Sequence, residues 1–158
     1  MHKILYWFGV LAALLTTLIL VGFSYLYYKG YGLDKESKIY AQVSLSAITS
    51  PWNSHALLDR ASPKLLRSVN SEQIRSMFDR FGVLGPLIRS EECKGSAAFF
   101  ISVGQPDNTT AQYVCDGQYR EGLASVRLSL VKIDQKWMIN GFNVNSPVLL
   151  EHKPIQNL

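Results

Sequence analysis

The sequence predicts an α+β protein in which the helices come first and an antiparallel sheet comes last. Three observations predict it. Residues Ile4 to Tyr28 form an uncharged apolar run. From Asp34 to Gly82, apolar residues recur at helical spacing between capping residues. From Leu87 to Val144 the apolar period becomes two, interrupted by short turn signals.

The apolar run holds 25 residues. As a helix it would reach about 37 Å, which exceeds the roughly 30 Å hydrocarbon core of a bilayer. It can therefore span with some tilt. Tyr6 and Trp7 stand at one end, and Tyr25, Tyr27 and Tyr28 at the other. Amphipathic rings anchor at membrane interfaces. Thr16 and Thr17 can return their hydroxyls to the helix backbone. The run is longer than a cleaved signal's apolar region and ends in "FSYLYYKG" without a small-x-small site. An uncleaved anchor is the expectation. The basic flanks, Lys3 on one side and Lys29, Lys35 and Lys38 on the other, give little net orientation. Only residues 1–3 precede the span, so the short end is placed in the cytoplasm and the body outside it.

Residues 29–33 then read as a polar linker with two glycines. Asp34 caps a helix in which Tyr40, Val43 and Ala47 make the apolar stripe, with Ile39 and Ile48 beside it, and Pro51 ends it. "WNSHALLDRA" is a second, shorter helix. Ser62 and Pro63 open a third, with the serine at the cap and the proline in the first turn. Asn70 with Gln73 forms a capping box for a fourth. Its stripe is Ile74, Met77, Phe78 and Phe81, and Gly82 is its terminator.

Strands follow at 87–93, weakly, and at 97–103, strongly. "GQPDNTT" is a turn-rich loop. Residues 111–120 put Ala111, Tyr113, Cys115 and Tyr119 on one face. After a tight connection at Glu121–Gly122, residues 123–133 put Ala124, Val126, Leu128 and Leu130 on one face and Ser125, Arg127 and Ser129 on the other. Asp134–Gln135 is the next turn. The last strand, "KWMINGFNVNS", changes parity: Trp137 and Ile139 are odd, Phe142 and Val144 even. A bulge at Gly141 would restore one buried face and bend the strand. Otherwise the strand ends early at a weak glycine. The tail, 147–158, carries Val148, Leu149 and Leu150, which pack back on the domain or dock elsewhere; packing back is the default.

The order and spacing of two blocks resemble the NTF2-like (cystatin-like) superfamily, a cone of about three helices on a curved antiparallel sheet. The blocks are "SPKLLRSVNSEQIRSMFDRFGVLGPL" and "YVCDGQYREGLASVRLSLVKIDQKWMINGFNVNS". The resemblance covers residues 34–146 and is closest to small membrane-anchored exported bacterial domains of uncharacterised function. It implies a bacterial inner-membrane protein with its domain in the periplasm. The anchor and the helices-then-sheet order are also similar to the VirB8-like subunits of type IV secretion channels. The superfamily spans enzymes, ligand binders and assembly subunits, so the fold alone implies no single activity.

The sixteen basic residues are scattered over the chain and the net charge is +4. A nucleic-acid surface would cluster them, so nucleic-acid binding is not expected. Cys93 and Cys115 are the only cysteines. Outside the cytoplasm such a pair tends to oxidise, and the resemblance puts cysteines at matching places in exported relatives. If the strand from Ala97 lies between them, however, two strand spacings of about 4.8 Å separate them, too far for a bridge. A disulfide and two buried thiols both stand at this point. His55, His152 and the two cysteines have no zinc-site spacing, and His2 lies across the membrane from them. No metal and no cofactor is expected.

No catalytic set emerges. Enzymes of this superfamily can use a buried carboxylate with a tyrosine donor, but Asp116 points away from the Tyr113 face. His55 and Asp59, one helical turn apart, read as a solvated pair rather than a dyad. Tyr113, Arg127 and Trp137 are the candidates to meet a ligand or partner. Arg127 holds an anion if its face lines the concavity; with Ser125 and Ser129 beside it, it reads as facing water. "NTT" at Asn108 is a glycosylation sequon only in a eukaryotic lumen. The expected role is a non-enzymatic protein-interaction or assembly module of an envelope complex, with a protein partner or a second copy. The alternative is a small-molecule binder, isomerase or hydrolase using the cone cavity. A deep apolar pocket would favour the alternative, and a cone plugged by its own aromatics the module.

Overall fold

A computed structural model describes residues 2–100 and 108–151. It is an α+β protein: a long N-terminal apolar helix, then a small antiparallel sheet with a few helices. The chain divides into two compact units at Leu33/Asp34.

Helix α1 is assigned over His2–Thr49. Residues 29–33, where the sequence predicts a linker, have helical backbone. Gly30 and Gly32 each cost about 1 kcal/mol in a helix, but no proline or cap interrupts the turn. In the first unit Trp7, Leu18 and Phe23 are exposed. The helix is long and apolar enough to cross a membrane. Thr16 Oγ1 donates to the Ala13 carbonyl at 2.9 Å and Thr17 Oγ1 to the same carbonyl at 2.8 Å, so neither polar group is left over.

In the second unit the buried face of α1 is Ser37, Ala41, Ser44, Leu45, Ile48 and Thr49. The expected stripe is corrected by this: Val43 and Ile39 are exposed, and Tyr40 and Ala47 are half-buried. Small residues, Ser37, Ala41 and Ser44, share the buried face with Leu45 and Ile48. Helices α2 (Ser54–Leu58) and α3 (Pro63–Ser68) are short. Asn53 caps α2 and Ser62 caps α3, each through its side-chain oxygen. Helix α4 (Ser71–Phe81) opens on the Asn70–Gln73 capping box and buries Ile74, Phe78 and Phe81. Gly82 does not end it in a left-handed turn. The chain runs on through a 3-10 turn, Gly82–Leu84, and reverses at Gly85, where φ is +70°.

The strands are β1 (Leu87–Ser90), β2 (Lys94–Phe100), β3 (Asn108–Tyr119), β4 (Gly122–Ile133) and β5 (Lys136–Asn145). All pairings are antiparallel. β3 begins at Asn108, so the end of the expected turn-rich loop is already strand; residues 104–107 of that loop lie outside the described residues, as do 101–103 of the expected second strand. Thr109 pairs Phe99 and Thr110 pairs Ala98, as β-branched residues favour.

β1 and β2 lie end to end along one side of β3. β1 takes Gly117 to Tyr119, and β2 takes Asn108 to Val114. β4 takes the other side of β3, and β5 follows it. Cys93, immediately before β2, therefore faces Cys115 across a single strand spacing. Their Cα atoms are 4.2 Å apart and a disulfide joins them. The separation expected from an intervening strand is corrected here, because β2 continues the line of β1 instead of lying between it and β3.

The parity change resolves at one residue. Ser129 pairs Gly141 and Leu130 pairs Ile139, which leaves Asn140 extra on β5. Val126, Leu128 and Leu130 on β4 then face Val144, Phe142 and Ile139 on β5, all on one side of the sheet. That side carries the helices. Ile139 bridges Ala61, and Leu128 and Ile139 are fully buried. The other side is mostly polar. In the tail, α5 (Pro147–Glu151) sets Val148 against Gly122, where an added Cβ would meet its Cγ2 at 2.8 Å. Ser146 Oγ donates to the Leu123 carbonyl at 2.7 Å. Val148 and Leu149 are thus half-buried against the domain, while Leu150 is exposed. Residues 152–158, His152 among them, lie outside the described residues.

Candidate functional site

Strand periodicity places Tyr113 on the helix side of β3, where it is 1% exposed. Its hydroxyl shares a hydrogen bond of 2.8 Å with Ser37 Oγ and donates to the Asp34 carbonyl at 3.2 Å. Burial pushes the phenol above its ordinary pKa. Asp34 does not cap α1. Its carboxylate accepts the Ala97 N–H and so ties the helix to the outer edge of β2. Tyr113 is a buried structural link between α1 and the sheet. Tyr113→Phe is expected to cost about 1 kcal/mol, the net value of a typical buried hydrogen bond. A shift of the urea midpoint with unchanged slope is the measurement that checks it.

Trp137 is also on the helix side and buried, beside Lys132 on β4. The Lys132 ammonium lies 5.6 Å from the ring centroid and 2.6 Å from Glu36 Oε2. The indole N–H is buried and makes no hydrogen bond of normal geometry, although the Glu36 carboxylate is near enough to feel it. Lys132 holds the Glu36 carboxyl below its ordinary pKa, against the opposing effect of desolvation. A depressed carboxyl contributes stability above its unfolded pKa, near 4.3, and loses it as pH falls through the lower folded value. Glu36 is half exposed, so screening limits the contribution to under about 1 kcal/mol. Acid titration of stability should show a shallower loss below about pH 4 in Glu36→Gln than in the parent.

Arg127 is on the opposite side and exposed, in an open cleft with Val114, Ser125 and Asn143. The three candidates are therefore not brought together. Tyr113 and Trp137 point inward at different places, and Arg127 points outward. Asp116 is on the outer side as well, accepting from Ser125 Oγ, so it does not meet Tyr113. His55 and Asp59 are both exposed. Among the described residues no group of three or more His, Cys, Asp and Glu is placed to hold a metal ion. The His2 side chain and the side chain of Asn108 lie outside the described residues.

What fills the space between helices and sheet is aromatic. Trp52 stacks on Tyr119 with centroids 5.3 Å apart and lies 5.4 Å from Phe81. Phe78 stacks on Phe142 at 6.0 Å and meets Phe81 at 5.8 Å. Trp52 Nε1 donates to the Gly85 carbonyl at 2.8 Å, which satisfies the polar end of the ring. The Tyr119 hydroxyl is buried near Thr49 without a normal hydrogen bond, and burial raises its pKa. Sequence reasoning missed Trp52, because it precedes the helix it seems to belong to, and Asp34, whose position suits a cap. Asx chemistry at position 34 gives no sign of a partner 63 residues away. The clefts that do open are on the surface. One of about 300 Å³ lies between α4, the end of β5 and α5, and one of about 440 Å³ lies over Arg127.

No family model matches the chain, and no curated protein or solved structure matches it either.

Proposed function

We propose that this is a single-pass protein of the bacterial inner membrane that presents a non-enzymatic, NTF2-like domain to the periplasm. The domain acts as a protein-interaction or assembly module of an envelope complex, in the manner of VirB8-like subunits. One observation carries this reading. The space between helices and sheet is occupied by Trp52, Phe78, Phe81, Tyr119 and Phe142, so the surface is left as the working part. Two others support it. The N-terminal helix has the length and apolarity of a span, and a fully buried disulfide suits an oxidising compartment.

Amine-reactive crosslinking in intact cells, read by mass spectrometry, tests it. Lys64, Lys94 and Lys136 are exposed on the body. Reproducible links from them to an envelope protein, or to a second copy, are the expected result. Links confined to cytoplasmic proteins, or none at all, would overturn the reading.

A further inference from the structure

We propose that the outer edge of β5 beyond the bulge, Gly141 to Asn145, accepts an added strand from a partner protein, an extended segment in which acidic and apolar residues alternate. This rests on the interaction reading above and names the surface and the chemistry it recognises.

β5 is the last strand of the sheet. At Ile139 its outward groups are occupied: Ile139 N–H donates to the Arg60 carbonyl, and Ser62 N–H to the Ile139 carbonyl, both at 2.7 Å. Past the bulge, alternation turns the backbone groups of Phe142 and Val144 to that same side. Among the described residues nothing bonds them there. At the opposite edge, by contrast, Asp34 takes the Ala97 N–H. Exposed edges are usually blunted by lysine, proline, inward charge or a bulge; here the bulge at Asn140 lies just before the open stretch, not within it. Gly-Phe-Asn-Val-Asn itself carries no lysine, proline or charge.

Two open clefts flank this edge and share Asn143, Val144 and Asn145; a third, lined by Glu91 and Asp116, adjoins them at Ser125 and Asn145. The helix-side cleft is lined by Met77, Phe81, Leu149 and Leu150, with Arg80. The outer cleft is lined by Val114 and Ser125, with Arg127. Arg80 and Arg127 are the only charged residues in the two linings, and neither has an ion pair among the described residues. Side chains of an added strand enter the two clefts alternately. Apolar ones suit the helix side and carboxylates the Arg127 side, with Arg80 in reach of an acid at the rim. A second copy fits poorly. Two-fold pairing of this edge would gather four arginines at one seam; the nearest acids, Glu91 and Asp116, line the adjoining cleft, where Asp116 already accepts from Ser125 Oγ.

The test uses the full chain in detergent micelles and three labelled seven-residue peptides. One alternates valine and aspartate, one alternates valine and lysine, and one is the aspartate peptide with alternate amides methylated. The aspartate peptide should bind at least tenfold tighter than either of the others. It should slow amide exchange at Phe142 and Val144 at least tenfold. Arg127→Glu, at an exposed position, should shift the preference toward the lysine peptide. Equal binding by all three, no binding, or protection elsewhere would overturn the proposal. So would concentration-dependent protection at Phe142 and Val144 without peptide, which would give the edge to a second copy. Crosslinks mapping to another face in cells would leave the interaction reading standing while this edge fails.

Discussion

Gly95→Ala is expected to destabilise the domain by roughly 3 kcal/mol, through strain at a special backbone conformation and loss of strand pairing. Gly95 sits in β2 with φ of +153°, opposite Tyr113. A Cβ there would lie 1.9 Å from the Gln112 carbonyl oxygen and 2.9 Å from the Tyr113 Cα. Both are backbone atoms of β3, so no side chain can swing aside. The only relief is to part β2 from β3 near Lys94 to Ser96, beside the disulfide. Equilibrium urea unfolding of the full chain in micelles checks it. Gly141→Ala is the matched control. Its backbone is not left-handed, and its Cβ would meet only the Ser129 side chain at 3.4 Å, ordinary contact. That substitution should cost under about 1 kcal/mol. Equal costs for the two would refute this account of where glycine is needed.

Replacing Cys93 and Cys115 together by alanine is expected to lower stability by about 3 kcal/mol in the chain-entropy treatment of a crosslink. The bridge spans 22 residues of sequence and both cysteines are fully buried. Its removal frees the segment between the two cysteines, β2 included, in the unfolded chain. The same loss should follow reduction of the parent protein, and reductant should not affect the alanine variant. Because Gly95 stands two residues from Cys93, the two effects share a site and should fall short of additivity when combined. Full additivity would mean that the bridge and the β2 pairing act independently.

Much of the fold was legible because period and capping are local. The Asn70–Gln73 box, the Ser62 cap and the inward rows of β3 and β4 rest on residues a few positions apart. The Asp134–Gln135 turn was legible for the same reason, and both its residues take positive φ. The parity change in the last strand was also a local signal, and the extra residue proves to be Asn140, next to the expected Gly141. What was hidden is relational. Nothing in "LIRSEEC" says that β2 will continue its line along β3, and the distance argument against the disulfide failed on that point. Ile39 and Val43 looked like a core stripe because they are large and apolar, but the face of α1 that is buried carries Ser37, Ala41, Ser44, Leu45 and Ile48. Of the candidate site, Tyr113 and Trp137 proved to be parts of the interior. Arg127 alone is on a surface that a partner can reach.

The proposed function requires the body to stand outside the cytoplasm, where the disulfide would form and the open edge of β5 would meet envelope proteins. A paired topology reporter in intact bacteria tests this most directly, with alkaline phosphatase or β-galactosidase fused after Leu158. High phosphatase and negligible β-galactosidase activity is the predicted result. The reverse pattern would contradict it.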